Sequence, residues 1–449
     1  MNIHLLPKCV ILSTVWCLSL GQIQAQTDKA TQDKIQNLLT KKLEEWQKLY
    51  QYLHQNPELS FQEKQTAATL AQKLKEIGYE VTENFGGYGV VAVLKNSTGK
   101  TILVRADTDA LPIEEQTNLP YRSYAKAKDD AGNEVPVMHA CGHDLHMTVL
   151  VGVAEVMYAL RKEWKGRLIL IAQPAEERSG GAKAMLQQGL YQKFGVPNYA
   201  LALHSSASLP AGKVGFCVGP TLANVDMIDI TVYGVGGHGA YPHLTKDPIV
   251  LAAQIINNLQ TIVSRQTNPI EPSVVTVGAI HGGTKHNIIP DKVEMQLTLR
   301  SYNEEVRNKT IDAIRKIIRY TALAQGFPED RLPELKFNQE FTPFTLSDTT
   351  LTFRLKAVAE QILGKANVEI VPPSMGGEDF SFFGRTAEKV PICLFWLGAV
   401  PPDQFAQSQA QGMPLPSLHS PFFAPKPDTA IATGVKVMAT SVLDLLKDK

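Results

Sequence analysis

The chain has 449 residues, 44% of them hydrophobic and 20% charged, with 44 basic residues against 44 acidic ones. This composition excludes a disordered polyelectrolyte, and zero net charge excludes a global field that would attract nucleic acid or anionic lipid, so any selectivity must reside in a local site. The length is long for one core and predicts two domains.

Residues 1–25 differ from everything after them. Lys8 precedes the apolar run CVILSTVWCLSL, and GQIQAQ offers small Ala25 as a cleavage point, the pattern of a secretory signal peptide. The mature protein is therefore expected to be exported, periplasmic or secreted. No membrane span is expected, because the run is short and no later stretch reaches about 18 uninterrupted apolar residues. Bulky Trp16 before Cys17 argues against a lipid-modified cysteine. Removing the signal leaves Cys141, Cys217 and Cys393, an odd number, so at least one is unpaired. Cys217 and Cys393 lie in apolar surroundings and read as buried thiols. Cys141, flanked by glycine and histidines, reads as a metal thiolate.

From about residue 30 to 78 apolar positions recur at three and four, predicting two helices closed by Pro57 and Gly78. Short β-rich runs then alternate with helical ones: GVVAVL, TILVRAD, a helix over about 145–162, RLILIAQ, a helix near 181–190, and YALALHS. Such alternation predicts an α/β fold with a mainly parallel, doubly wound sheet. Residues 222–332 break the pattern with a βαββαβ order, a ferredoxin-like unit inserted into the larger domain. The expected organisation is thus a catalytic domain in two parts, 26–221 and 333–449, around that insertion.

The polar clusters follow strands. RAD ends one at 101–107, QPAEE follows another at 167–173, HSS follows a third, and MHACGHD opens a helix. In open parallel sheets ligands sit beyond the carboxyl ends of the strands, so these distant clusters should converge on one edge. Cys141 and His143 lie two apart in a glycine-containing turn, so both can face one ion. Glu177 and His204 come from strand ends, and His419 returns from the far end of the chain. Thiolate, imidazole and carboxylate together suit zinc, and also manganese, cobalt or nickel. Five such ligands exceed the needs of one tetrahedral ion, which favours two divalent ions. Adjacent glutamates are most often a solvated surface. Here Glu176–Glu177 directly follows a buried strand, so one can bind metal while its neighbour exchanges a proton with activated water. Asp109 is placed to orient a metal-bound imidazole, or else to cap a turn.

In chain order, LHQNPELSFQE, RADTDALPI, MHACGHDLHM, QPAEE, GGHGAYPH, HGGTKHNIIP, GGEDFSFF and LHSPFF resemble the M20 metallopeptidase family. The similarity is strongest to its amidohydrolase branch of hippurate hydrolases, N-acyl-amino-acid amidohydrolases and indole-acetyl-amino-acid hydrolases. The resemblance implies a di-metal catalytic domain with a smaller lid and dimerisation domain, acting as a homodimer on N-acyl amino acids or short peptides. It implies Cys141, His143, Glu177, His204 and His419 as ligands and Glu176 as general base. It further implies that His238 polarises the scissile carbonyl across the dimer and that Asn287 contacts the substrate carboxylate. SSAS after His204, and Leu145 where glycine is common, depart from the pattern, so no particular acyl group is implied. A dipeptidase or carboxypeptidase of the same mechanism is the alternative. A non-catalytic metal-binding protein would require loss of the base. His54, His139, His146, His243, His281 and His286 read as structural, with His139 and His146 near enough to support ligands.

Overall fold

The computed structural model describes residues 28–338 and 341–447; the expected signal peptide lies outside the described residues. Two amphipathic helices come first, α1 (Lys29–Gln55) and α2 (Lys64–Ile77). Asp28 caps α1 by accepting from the Thr31 amide at 2.8 Å, and Gly78 ends α2 in the left-handed region at φ 113°. Strands β1 (Glu80–Thr82), β2 (Val90–Asn96) and β3 (Thr101–Asp107) follow, then α3 (His143–Ala159), β4 (Gly166–Gln173), α4 (Gly181–Gln187), β5 (Tyr199–Pro210) and β6 (Val214–Phe216).

The inserted unit contains β7 (Asp226–Tyr233), β8 (Gly237–His238), α5 (Pro248–Thr261), β9 (Ser273–Gly282), β10 (Ile288–Ile289), β11 (Lys292–Ser301), α6 (Glu304–Ala324) and β12 (Glu334–Phe337). The chain then returns through α7 (Thr349–Leu363), β13 (Val368–Ile370), β14 (Ile392–Val400) and α8 (Pro427–Leu446).

The large sheet has the order β1-β2-β4-β3-β5-β14-β6-β13. Its centre, β4-β3-β5-β14, is parallel, as strand–helix alternation requires. β2 and β6 join that centre antiparallel. β3 feeds β4 on one side while β5 follows on the other, so the connections diverge at β3 and open a crevice at the carboxyl ends. One face is covered by α1, α2, α3 and α8 over Trp46, Leu70, Leu150 and Val435; the other packs Ile171, Met185, Phe380 and Phe383. Helix α3 is apolar nearly all round because it lies inside this layer. Gly152 lets it approach α8, since a side chain there would start 2.4 Å from Val435. Helix α8 is long and apolar enough to cross a membrane by composition, but 83% of its apolar window is buried inside the domain.

The inserted sheet, β9-β11-β7-β12, is antiparallel throughout, and α5 and α6 cover one face around Ile230, Leu251, Ile255 and Ile314. This is the βαββαβ arrangement that periodicity predicts. Its last strand reaches Phe337, past the expected boundary at 332, because Glu334–Phe337 pairs with β7 and completes the sheet.

Candidate metal centre and active site

β3 ends in Arg105 and Asp107, and its continuation carries Asp109. The turn at 139–142 needs Gly142: its φ is 81°, and an added side chain would meet Ser205 Oγ at 2.6 Å. That turn delivers Cys141 and opens α3 at His143. β4 ends at Gln173 and passes into the loop bearing Glu176 and Glu177, while His204 projects from β5. His419 is held in the left-handed region at φ 64°, its amide donating to the Ala140 carbonyl at 2.9 Å.

These five side chains come together. Cys141 Sγ lies 3.5 Å from His204 Nε2 and 3.3 Å from His419 Nε2. Glu177 Oε1 lies 3.5 Å from His419 Nε2 and 3.9 Å from His143 Nε2. Two ligand triads share the thiol, Cys141–His143–His204 and Cys141–Glu177–His419, with all ligand atoms in each within 4.8 Å of one another. His143 Nε2 and Glu177 Oε1 are buried without a hydrogen-bond partner, a costly arrangement unless a cation completes it. His143 Nδ1 donates to the Asp109 carbonyl at 2.7 Å and His204 Nδ1 donates to the Ser205 carbonyl at 2.9 Å. In both rings this leaves Nε2 facing the cluster, as a lone pair in His204, which burial keeps neutral, and in His143 once its proton is displaced. His146 is excluded as a ligand although it borders the site. Its Nε2 accepts from the Ser205 amide at 2.8 Å and its Nδ1 donates to Asp107 at 2.6 Å, so both nitrogens are used.

The electrostatics point the same way. Asp107, Asp109, Glu176, Glu378 and Asp379 are all buried with the half-buried Glu177 beside them, and among the described residues Arg105 is the one arginine ion-paired inside the cluster. Arg105 is fully used: it donates to Asp107 at 2.6 Å, to Glu378 at 2.8 Å, to Asp379 at 3.1 Å and to Gln173 at 3.0 Å. Burial, then Glu378, Glu177 and Asp379, push Glu176 well above the usual carboxylate range. Burial opposes charge on His143, but Asp107 and Asp109 outweigh it and raise its pKa to about 10. Burial, Glu177 and Glu176 likewise push the Cys141 thiol up. A pocket with this excess of negative charge fits divalent cations, which would displace the thiol and imidazolium protons.

Asp109 meets the His143 ring twice: its backbone carbonyl takes the shorter bond from Nδ1, and its carboxylate stands 3.4 Å from the same nitrogen. The carboxylate also accepts from the amides of Glu176 and Glu177 at 3.1 and 3.0 Å and from Ser60 Oγ at 2.6 Å. His238 lies on β8 opposite Ile288, and exposed Asn287 just precedes β10, its carbonyl accepting from the Gly239 amide at 2.9 Å. Among the described residues, no hydrogen bond or ion pair joins either side chain to the ligand cluster. Sequence reasoning missed Arg105, Asp107 and Glu378, which carry the charge balance beneath the ligands; their motifs were visible but their pairing is set by tertiary contact. It also missed Arg300, whose Nη1 is buried without a partner 3.6 Å from where a Gly377 side chain would begin. All three remaining cysteines are free and buried.

The model of Peptidase family M20/M25/M40 matches residues 103–444. The chain belongs to this family. It is a hydrolase of the M20 group, with a mixed α/β catalytic domain. Hippurate hydrolase of Campylobacter jejuni is 41% identical over 342 residues, 76% of this chain and 85% of that protein. Thermostable carboxypeptidase 2 of Saccharolobus solfataricus is 38% identical over 363 residues, 80% of this chain and 87% of that one. A dinuclear metal-binding M20 peptidase of Bacillus subtilis superposes with a TM-score of 0.70 at 29% identity, covering 94% of this chain and 99% of that structure.

Proposed function

We propose that the protein is an exported, dinuclear metal-dependent amidohydrolase that splits N-acyl amino acids into a carboxylic acid and a free amino acid. The observation that carries this reading is the pair of orphaned ligand atoms, His143 Nε2 and Glu177 Oε1, buried among Cys141, His204 and His419 with the Glu176 carboxyl beside them. Those five residues hold the ions; the thiolate and imidazoles favour zinc, with manganese, cobalt or nickel as the other candidates. When bound, the ions supply Lewis acidity, activating water and polarising the scissile carbonyl. Glu176 takes the proton from that water and returns it to the leaving nitrogen, a role served by a carboxyl whose pKa its surroundings raise. The unpaired Arg300 donor and Asn287 are the candidate contacts for the carboxylate of the leaving amino acid. The name of the Campylobacter jejuni relative, hippurate hydrolase, supports an N-acyl substrate.

The homodimer is part of the same reading. β9 is an edge strand with Ile280 48% exposed, and an unpaired edge on a two-fold axis can extend the sheet into a second copy. His238, exposed and away from its own cluster, would then serve the partner's site. Mixing His238→Ala with Glu176→Gln under subunit exchange should restore up to about a quarter of wild-type activity, because half the dimers are mixed and each has one intact site. No recovery after proven exchange would end the trans assignment. Export rests on residues 1–25, and secretion of a reporter fused to them tests it.

The carboxypeptidase relative at 38% identity favours a second reading, cleavage of peptides at the free carboxyl end. Hydrolysis of N-acetyl amino acids, N-benzoyl amino acids and dipeptides, each with added zinc or manganese, decides between them. Turnover of dipeptides alone would overturn the N-acyl assignment.

A further inference from the structure

The segment from Glu58 to Glu63 contains three buried or half-buried polar side chains that the reaction above does not use. Two of them reach the loop that carries Glu176 and Glu177. Ser60 Oγ donates to Asp109, whose two carboxylate oxygens accept from the Glu176 and Glu177 amides. Glu63, with no exposed surface, accepts from the amide immediately before that pair, Ala175, at 2.7 Å. Three consecutive amides of the loop are therefore held by carboxylates that contact no ligand atom.

Ala175 needs such a restraint. Its φ is 50°, in the left-handed region that an alanine side chain disfavours, and Ser179 repeats the strain at φ 52°. The loop between them is closed tightly: the Gly180 and Gly181 amides both donate to the Ala175 carbonyl, and a side chain at Gly181 would start 1.6 Å from the Pro174 carbonyl oxygen. The turn at Ala175 brings both adjacent glutamates to the site: Glu177 joins a ligand triad, and Glu176 stands beside His143 and accepts from the Asp379 amide at 3.4 Å.

Outside the loop, the Glu63 carboxyl meets only backbone amides of its own segment, those of Phe61 and of Glu63 itself. It stands at the start of α2 but makes no side-chain cap there, since Glu58 accepts from the Gln65 and Thr66 amides instead. Its second oxygen has no partner among the described residues.

We propose that Glu63 is a positioning residue: by holding the Ala175 amide it fixes the left-handed turn that places Glu177 among the metal ligands and Glu176 beside them. This rests on the roles assigned above to Glu176 and Glu177. Two variants at this position isolate the reach of the side chain. Glu63→Asp withdraws the carboxyl from Ala175, whereas Glu63→Gln keeps an acceptor at full reach. Zinc affinity, measured by chelator competition, and kcat on the best substrate of the panel should both fall about 10- to 100-fold in Glu63→Asp, the range for residues that orient metal ligands. Glu63→Gln should rescue most of both. Ala175→Gly, which removes the cost of the left-handed turn, should recover part of the loss when combined with Glu63→Asp. Equal losses in the Asp and Gln variants, or wild-type zinc affinity and kcat in Glu63→Asp with only a lowered unfolding midpoint, would overturn the proposal. Zinc affinity does not depend on the substrate, so failure of the N-acyl assignment leaves this readout standing.

Discussion

Replacing Glu176 with Gln separates the base from the ligand that follows it in the chain. The amide keeps the shape and can still accept from the Asp379 amide, now 3.4 Å from Oε1, but it cannot take a proton. Proton transfer by a positioned side chain is worth roughly 10²–10⁴ in rate, or about 3–5 kcal/mol of barrier, so kcat should fall by at least that factor. Metal content should stay at the wild-type level, because Cys141, His143, Glu177, His204 and His419 are untouched. Stability should move in the opposite direction to activity. A carboxyl whose folded pKa is raised above its unfolded value favours folding least when ionised, so in metal-free protein its contribution is lost as pH rises from the ordinary carboxylate range through the folded value. Near pH 7 Glu176 in the metal-free enzyme is therefore a burden among Glu378, Glu177 and Asp379, and the neutral amide should raise the melting temperature of that form. The assay is initial rate on an N-acyl amino acid, with metal analysis and thermal unfolding of the chelated protein. Retained turnover would refute the base assignment. Loss of metal together with activity would mean that Glu176 and Glu177 have each other's roles.

Cys141 should resist alkylation in active enzyme and become reactive, with loss of activity, once a chelator removes the ions; equal labelling before and after would refute ligation. His54 gives a pH dependence of folding. Burial lowers its pKa, but Asp144 at 2.6 Å and Glu115 at 3.1 Å outweigh that and raise it from 6.5 to about 9. The stabilisation, on the order of 3 kcal/mol, is complete below about pH 6.5 and disappears as pH rises through 9. Urea unfolding from pH 6 to 10 should show that decline, and His54→Gln should flatten it; an unchanged slope would place the effect elsewhere.

Much of the architecture was legible because it depends on local periodicity. The βαββαβ insertion reads from alternating and three-four patterns within β7, α5, β9, β11, α6 and β12, and its boundary drifted only where the four-residue strand β12 carries too little pattern to mark an end. Most of the proposed metal ligands were legible for a different reason: Glu177 follows a strand, His204 lies on one and Cys141 and His143 open α3, so the rule that parallel strands present ligands at their carboxyl ends gathers them without knowledge of contacts, whereas His419 lies in a turn that no such rule places. His146 shows where that stops. Its residue type and spacing match His143, and only the Ser205 amide and the Asp107 carboxylate, both distant in sequence, reveal that its two nitrogens are already taken.

Asp109 marks the same limit from the other side. A carboxylate near a histidine suggests an imidazole partner, yet the shorter bond comes from the Asp109 backbone carbonyl, and the carboxylate divides itself between that ring at 3.4 Å and the Glu176 and Glu177 amides. Residue type cannot distinguish these roles, because every residue but proline offers a backbone acceptor alongside a backbone donor. Arg105 extends the point to energetics. One guanidinium beneath Asp107, Glu378 and Asp379 leaves the pocket in carboxylate excess, and with the chain as a whole neutral that excess is purely local. Overall composition therefore gave no sign of it, while the folded arrangement concentrates negative charge where cations bind and raises the proton affinity of Glu176, the residue assigned to exchange a proton.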